Sequence, residues 1–190
     1  MGCVRPRVCF STGSNPGYDV NDDCPTGGTT DDFIVDYYET GFPDVFPRNV
    51  GRNGRPNPKA VPFWSGMRGR AAELYGRAGA SLRPGIDFAL TEVVHCKSKR
   101  ERVARTATDK CIGRHFASIA TLSLARVVVV FGSLAANSLE VPTRPIVSRQ
   151  DWYGRERLVL WLPHPNAHTD RTVCGSYSTS DISALREALA

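Results

Sequence analysis

The chain lacks the sequence features that bring proteins into or onto membranes. It contains no run of about 18 apolar residues, the length that crosses a bilayer. Residues 1–6 have no apolar core of the kind found in secretory signal peptides. Pro6 also stands where an N-myristoylation signal requires Ser or Thr. We therefore expect a cytoplasmic protein with no membrane partner.

Cysteine patterns typical of metal sites and disulfide frameworks are also scarce. Although six cysteines are present, no two of them form a Cys-x-x-Cys pair, the strongest sequence signal for a bound metal. A disulfide framework is not expected in a cytoplasmic chain of 190 residues. Cys9 lies within an apolar run, which favours a buried position in a strand.

What the chain does contain is typical of a globular protein. Its 190 residues suffice for one domain with a sizeable core, and 41% of them are hydrophobic. We find no internal repeat and no linker, so residues 1–190 are expected to form a single domain. The excess of 24 Lys and Arg over 19 Asp and Glu favours a polyanionic partner, and a well-solvated basic surface explains it equally well.

Short apolar runs alternate with helical patterns along the chain. The fully apolar run at 127–131 is typical of a central parallel strand, which is buried on both faces. Further strands are predicted at 7–12, 88–94 and 158–162. Helices are predicted at 31–39, 65–78, 107–123, 134–139 and 181–189. Thr106, Ser133 and Ser180 are the predicted N-caps of the helices at 107–123, 134–139 and 181–189. The alternation predicts a three-layer α/β/α domain with a mainly parallel central sheet.

Two turns at opposite ends of the chain carry polar side chains directly after predicted strands. Residues 13–17 read Gly-Ser-Asn-Pro-Gly, and Asn15 offers both a hydrogen-bond donor and an acceptor for a water or a base edge. A strand-ending turn with a self-capping Asn explains this pattern equally well.

The second turn places His164 between two prolines, whose fixed φ angles stiffen the loop. An imidazole held in this way suits hydrogen bonding to a developing oxyanion, and an ordinary surface His is the alternative. Because the carboxyl ends of parallel strands meet at one edge, we expect Asn15 and His164 to face a single substrate.

Taken in order, these motifs resemble those of the uracil-DNA glycosylase superfamily. The first turn is similar to the Gly-Ile-Asn-Pro-Gly motif of the mismatch-specific branch, and His164-Pro165-Asn166 is similar to a His-Pro-Ser motif. Residues 91–96, Thr-Glu-Val-Val-His-Cys, resemble Thr-Asn-Val-Val-Lys-Cys in the iron–sulfur branches. The resemblance covers most of residues 7–171 and implies a glycosylase fold with DNA as the partner of a monomer.

The resemblance also implies roles for matching residues. Gly13 and Pro16 would lie against the base. Asn15, in the same turn, would position the attacking water, and His164 would stabilise charge on the departing base. Phe63 is similar to an aromatic residue that stacks on the flipped base, and a plain core position is its alternative. The loop from Asn166 to Arg171 would enter the DNA, and its His168 and Arg171 suit phosphate contact.

A basic loop adds further candidate phosphate contacts. Lys97, Lys99 and Arg100 lie within it, and Arg68, Arg70 and Arg77 of the preceding predicted helix carry the same charge. A solvated basic face is the alternative interpretation.

Glu92 departs from the family pattern, in which an Asn at this position reads uracil. An ionised carboxylate only accepts hydrogen bonds, so it suits a base edge that presents an amino group or N–H. A protonated Glu92 in a dry pocket would instead donate to a carbonyl. Pairing with one of the many arginines is the structural alternative.

The chain matches only half of the ligand positions that hold the iron–sulfur cluster in the related branches. Cys96 and Cys111 occupy two of four positions, and the first strand begins too early for the Cys-x-x-Cys that supplies the others. Cys3, Cys24 and Cys174 are the candidates for substitution. We expect no cluster and no other cofactor.

The sequence therefore predicts a monofunctional DNA glycosylase of base-excision repair. A protein that binds a base or a single strand without cleaving it is the first alternative, because Glu92 departs from the motif and residues 18–61 form a long loop. A hydrolase of free nucleosides is the second, because the chain is short for a protein that grips a duplex.

Overall fold

A five-stranded sheet forms the centre of the protein in a computed structural model that describes residues 8–12, 62–83, 86–94, 105–164 and 172–190. The strands are β1 (Val8–Thr12), β2 (Phe88–Glu92), β3 (Val127–Phe131), β4 (Ser148–Asp151) and β5 (Glu156–Leu162). They lie in the order β2-β1-β3-β5-β4, with β4 antiparallel to β5 and all other neighbours parallel. The mixed α/β class and the mainly parallel sheet are confirmed.

Helices lie between the strands and after the last of them. They are α1 (Pro62–Tyr75), α2 (Arg105–Cys111), α3 (Ala117–Leu122), α4 (Gly132–Ser138), α5 (Val173–Ser176) and α6 (Thr179–Leu189). A π-helical turn, Ile112–Phe116, joins α2 to α3, and a short 3₁₀ helix, Gly79–Ser81, follows α1. Within the described ranges, no helix is long and apolar enough to span a membrane. The helix predicted at 31–39 lies outside those ranges.

Hydrophobic side chains pack on both faces of the sheet. All five residues of β3 are buried, and they alternate between two core clusters because successive side chains of a strand point to opposite faces. Val127, Val129 and Phe131 join residues of α1 and α6 on the first face. Val128 and Val130 join residues of α3 and α4 on the second face.

The three predicted helix caps are wrong. Ser178, rather than Ser180, caps α6: its Oγ accepts from Asp181 N while Asp181 Oδ2 accepts from Ser178 N, both at 3.2 Å. Ser133 caps nothing, because Gly132 at a φ of +78° turns the chain from β3 straight into α4. Thr106 lies inside α2, which begins at Arg105, since apolar periodicity does not fix a helix's first residue.

Two predicted strands have different bounds, and one further strand was not predicted. β5 begins at Glu156 rather than at residue 158. β2 ends at Glu92 rather than at residue 94, because its partner β1 ends at Thr12, the residue paired with Glu92. β4 was not predicted: its sequence, Ser-Arg-Gln-Asp, has no apolar run, as is usual for a solvated edge strand. A turn with positive φ at Tyr153 and Gly154 joins β4 to β5.

Candidate functional site at the carboxyl edge of the sheet

The four parallel strands end in register. Thr12, the last residue of β1, is paired with Glu92 of β2 on one side and with Phe131 of β3 on the other. Phe131 is in turn paired with Leu162, the last residue of β5. Neighbouring strands lie about 4.8 Å apart, so β2 and β5 are separated by about 14 Å. The segments that follow these strands therefore leave the sheet along one edge.

The strand order reverses direction in the middle of this edge. From β1 the chain crosses by way of α1 to β2 on one side, and then crosses back by way of α2 and α3 to β3 on the other side. The two crossovers lie on opposite faces of the sheet, as their core clusters demonstrate. In open α/β sheets, ligands bind at the carboxyl ends of the two strands that flank such a reversal. Here those strands are β1 and β3.

His164 lies beside this reversal point. It follows β5 by two residues and is half-buried. A Cβ built on Gly132, the first residue after β3, would lie 3.6 Å from His164 Cβ and 3.9 Å from its Cδ2. The imidazole therefore packs over the start of α4. This contact brings a residue that follows β5 to the end of β3, next to the end of β1 at Thr12.

Glu92 lies on the other side of the end of β1. It is the last residue of β2, it is half-buried, and its Oε2 is inaccessible to solvent. Because β1 separates β2 from β3, Thr12 at the end of β1 lies between Glu92 and Phe131, the residue before Gly132. The predicted turn with Asn15 follows Thr12 in the sequence and lies outside the described residues.

Tyr177 holds the end of β5 from outside the sheet. Its hydroxyl donates to Trp161 O at 2.5 Å and accepts from Trp161 N at 3.1 Å. Burial, and to a lesser extent the nearby Asp181 carboxylate, raise the pKa of Tyr177 to about 12, against the lowering effect of its bond to the Trp161 backbone. The phenol therefore stays protonated at neutral pH and remains a donor.

Glu73 of α1 binds the backbone at the start of α5. Its Oε2 accepts from Val173 N at 2.5 Å and from Cys174 N at 3.2 Å, and its Oε1 lies 3.1 Å from Arg70 Nη2. Thr172 caps the same turn, because its Oγ1 accepts from Gly175 N at 2.8 Å. Together with Tyr177, these contacts fix the positions of both flanks of the segment 165–171.

Sequence reasoning missed these two positioning residues for a physical reason. Tyr177 and Trp161 are 16 residues apart, and Glu73 and Val173 are 100 residues apart. Neither pair belongs to a local motif. Gly132 directly follows the predicted strand at 127–131, and its contact with His164 likewise belongs to no local motif.

Most of the other predicted site residues lie outside the described ranges. They are Gly13, Asn15, Pro16, Lys97, Lys99, Arg100, Asn166, His168 and Arg171. Phe63 is the second residue of α1, which places its backbone in the first turn of that helix. The roles of these residues stay predictions.

Two of the arginines predicted to contact phosphate, Arg70 in α1 and Arg77 just after it, already have partners within the protein. Arg70 pairs with Glu73, and Arg77 Nη2 donates to Asp87 Oδ1 at 2.7 Å. Arg77 also lies over the ring of Tyr75, 4.7 Å from its centroid. These contacts favour a structural role for both arginines over the phosphate contact suggested by the sequence.

Cys111 and Cys174 do not converge on one site. Cys111 is a buried thiol in the core cluster of the second face. Cys174 is exposed and follows Val173, which packs in the cluster of the first face. Cys174 therefore does not fit as a substitute ligand beside Cys111. Among the residues that the structure describes, no three His, Cys, Asp or Glu side chains are grouped to hold a metal ion.

A cavity of about 470 Å³ lies at the opposite, amino edge of the sheet, between β5 and α6. Arg126, Arg149 and Arg157 line it, with Glu156 and Glu187. Arg157 is buried and donates to Ala120 O at 2.5 Å and to Ser123 O at 2.9 Å. Glu92 and His164 lie at the other end of the strands, so this cavity is separate from the candidate site.

Neither a protein-family model nor a curated protein sequence matches the chain. The sheet edge and the sequence motifs are therefore the basis for the functional proposal.

Proposed function

We propose that the protein is a monofunctional DNA glycosylase that acts as a monomer in base-excision repair. It hydrolyses the N-glycosidic bond of a damaged or modified base that has been flipped out of DNA. The observation that supports this most directly is the register of β2, β1 and β3, with His164 packed over Gly132. In this register Glu92, the end of β1 and His164 lie along the carboxyl edge near the topological reversal, which supports a shared site for the three motifs.

The fold required by this proposal is a three-layer α/β/α domain of the uracil-DNA-glycosylase type. Core clusters on both faces of the sheet support it, since helices cover β3 from either side. The mainly parallel strand order supports it as well.

The proposed mechanism relies on positioning and electrostatics rather than on a strong base. Asn15 orients a water for attack on the anomeric carbon while the bond from that carbon to the base nitrogen breaks. The electron pair of the broken bond passes to the base, and His164 donates a hydrogen bond to the carbonyl oxygen on which negative charge accumulates. The proton that the water releases balances the charge of the departing base, so the products are a sugar hydroxyl and a neutral base. Stacking on an aromatic ring, for which Phe63 is the candidate, offsets about 1–3 kcal/mol of the cost of flipping.

Glu92 is the candidate for base selectivity. Its half-buried carboxyl at the end of β2 faces the same edge as the proposed water site. In its ionised form it accepts from an exocyclic amino group or a ring N–H, and in its protonated form it donates to a carbonyl. A Glu92→Gln variant separates direct reading from a structural role, because unchanged base selectivity would exclude reading by the carboxylate.

A cleavage panel tests the proposed function. Oligonucleotides that carry uracil, hypoxanthine, xanthine or modified cytosines are assayed for base release, alongside the corresponding free nucleosides. We expect release from DNA by the native protein and strong loss in Asn15→Ala and His164→Ala. His115→Ala is the matched control, because His115 is an exposed histidine of the π-helical turn.

Each alternative gives a different pattern in this panel. Binding of the oligonucleotides without cleavage of any base would contradict the glycosylase proposal and support a non-cleaving binding protein. Release from nucleosides but not from DNA would support a nucleoside hydrolase.

A further inference from the structure

The outer edge of β5 extends beyond its partner strand just before His164. Leu158 N donates to Arg126 O at 2.9 Å, so the backbone groups of Leu158 face β3. Successive residues of a strand alternate in this respect, and the backbone groups of Val159 and Trp161 therefore face the side of β4. Ladder pairing with β4 stops at Ser148 and Val159. Trp161 lies past the end of that ladder.

Tyr177 occupies the place of the missing strand. Its single hydroxyl donates to Trp161 O and accepts from Trp161 N, which are the two bonds that a neighbouring strand would supply. The side chain is only 6% exposed and belongs to the core cluster of the first face. A rigid, buried group therefore fixes the position of the β5 backbone at Trp161.

We propose that Tyr177 is a positioning residue for His164, an inference that rests on the proposed function. Two residues, Leu162 and Pro163, separate Trp161 from His164. Leu162 is fully buried and paired with Phe131, and Pro163 has a fixed φ. The short connection has little freedom, so a shift of Trp161 away from Tyr177 moves the imidazole off its position over Gly132.

The placement of the imidazole matters for catalysis because a hydrogen bond to the departing base depends on distance and direction. A displacement of about 1 Å in an enzyme site lowers the rate of reaction by about 100-fold. Loss of the Tyr177 hydroxyl is thus expected to lower kcat more than it raises KM, since base and DNA contacts elsewhere are retained.

Tyr177→Phe tests the inference, with Tyr75→Phe as the matched control. The hydroxyl of Tyr75 also donates to a backbone carbonyl, Asp87 O at 2.7 Å, and Asp87 lies just before β2 at the amino edge. Both variants lose one phenol hydroxyl that bonds to the backbone. We expect Tyr177→Phe to lower kcat by about 10- to 100-fold with KM within about 2-fold, and Tyr75→Phe to leave both within about 2-fold.

Nuclear magnetic resonance gives a readout that does not require activity. The ring resonances of His164 should shift in Tyr177→Phe and stay unchanged in Tyr75→Phe. In the native protein, the Trp161 amide should exchange slowly with solvent although it lies beyond the β4 ladder. A fast-exchanging Trp161 amide in the native protein would overturn the inference even if Tyr177→Phe did not fold.

The outcomes separate this inference from the proposed function. If the native protein cleaves bases and Tyr177→Phe retains its kcat, or if both variants lose kcat equally, Tyr177 does not position His164. If the native protein cleaves no base, the proposed function fails. The His164 resonances then decide the positioning role, and unchanged resonances in Tyr177→Phe would exclude it.

Discussion

The amino edge of the sheet carries a charged cavity, whereas the carboxyl edge carries the reversal of strand order between β1 and β3. At the amino edge, Asp87, before β2, accepts from Arg77 and from the backbone of Arg83, each at 2.7 Å. Arg157, at the start of β5, donates to the carbonyl of Ala120 in α3 and to that of Ser123 just after it. At the carboxyl edge, Glu92 ends β2 and His164 follows β5, so these two residues lie on either side of the ends of β1 and β3.

This difference shows that cavity volume is a poor guide to the candidate site in this protein. The cavity of about 470 Å³ at the amino edge has a charged lining, but its buried arginine is committed to the carbonyls of Ala120 and Ser123. The carboxyl edge is distinguished by topology, because a reversal of strand order opens a crevice that parallel neighbours would otherwise close. If the two edges differ in this way, substitutions at the carboxyl edge should change the rate of cleavage, and substitutions at the amino edge should change the free energy of unfolding.

The largest effect is expected from His164→Ala at the carboxyl edge. Removal of one preorganised donor to a developing oxyanion typically lowers kcat by about 100- to 1000-fold. Stability should change little, because the side chain is only half-buried. Single-turnover cleavage and thermal unfolding measure the two effects. A kcat within 3-fold of the native value would remove His164 from the mechanism, and His115→Ala supplies the control.

Arg157→Met should have the opposite profile at the amino edge. It removes a buried guanidinium and leaves the carbonyls of Ala120 and Ser123 without this donor, at a cost of about 3 kcal/mol in the free energy of unfolding. Cleavage at a temperature where the variant is folded should be unchanged. Denaturant unfolding measures the loss. A large fall in kcat of the folded variant would bring the amino edge into the function.

The matched control for Arg157 is Arg149→Met. The guanidinium of Arg149 lies 2.6 Å from Glu156 Oε1, but the two side chains are 68% and 66% exposed. Exposed ion pairs contribute little, so we expect a loss below about 0.5 kcal/mol. Equal losses in the two variants would show that burial of Arg157 contributes nothing.

Alkaline pH should weaken the fold through Tyr177, next to the carboxyl edge. Its pKa is about 12 in the folded protein against an ordinary value of 10, so its contribution is complete below pH 10 and is lost as the pH rises through 12. The difference corresponds to about 3 kcal/mol at most. Urea unfolding between pH 9 and pH 12 should show a shallower decline in Tyr177→Phe than in the native protein or in Tyr75→Phe. Identical slopes in all three would contradict the raised pKa.

The sequence predicts the strands of this protein better than the contacts that hold the site. β3 and β5 carry apolar runs that only a buried strand satisfies, and their predicted positions are confirmed. β4 escapes prediction because an edge strand needs no apolar side chains. The bounds of the helices shift by several residues, since side-chain and backbone caps, rather than apolar periodicity, decide where a helix begins.

The features of the candidate site also fall into two groups: those that the sequence predicts and those that only folding brings together. That Glu92 and His164 lie at one edge follows from strand ends and parallel pairing, which local sequence reveals. That Gly132 lies under His164, and that Tyr177 holds Trp161, depends on segments brought together by folding. Such contacts leave no spacing in the sequence, because each partner is fixed by the packing of its own helix or strand.

An effect smaller than those of Arg157→Met and of alkaline pH is expected from Gly132→Ala, beneath His164. An alanine at a φ of +78° costs about 1–2 kcal/mol of backbone strain, although its Cβ would meet His164 at ordinary contact distances. Gly113→Ala is the matched control, because Gly113 lies in the π-helical turn with no atom within 4 Å of an added Cβ. We expect that variant to be neutral or stabilised by up to about 1 kcal/mol. Thermal unfolding compares the two, and equal stability would mean that the sharp turn from β3 into α4 is not needed to bring the chain beneath His164.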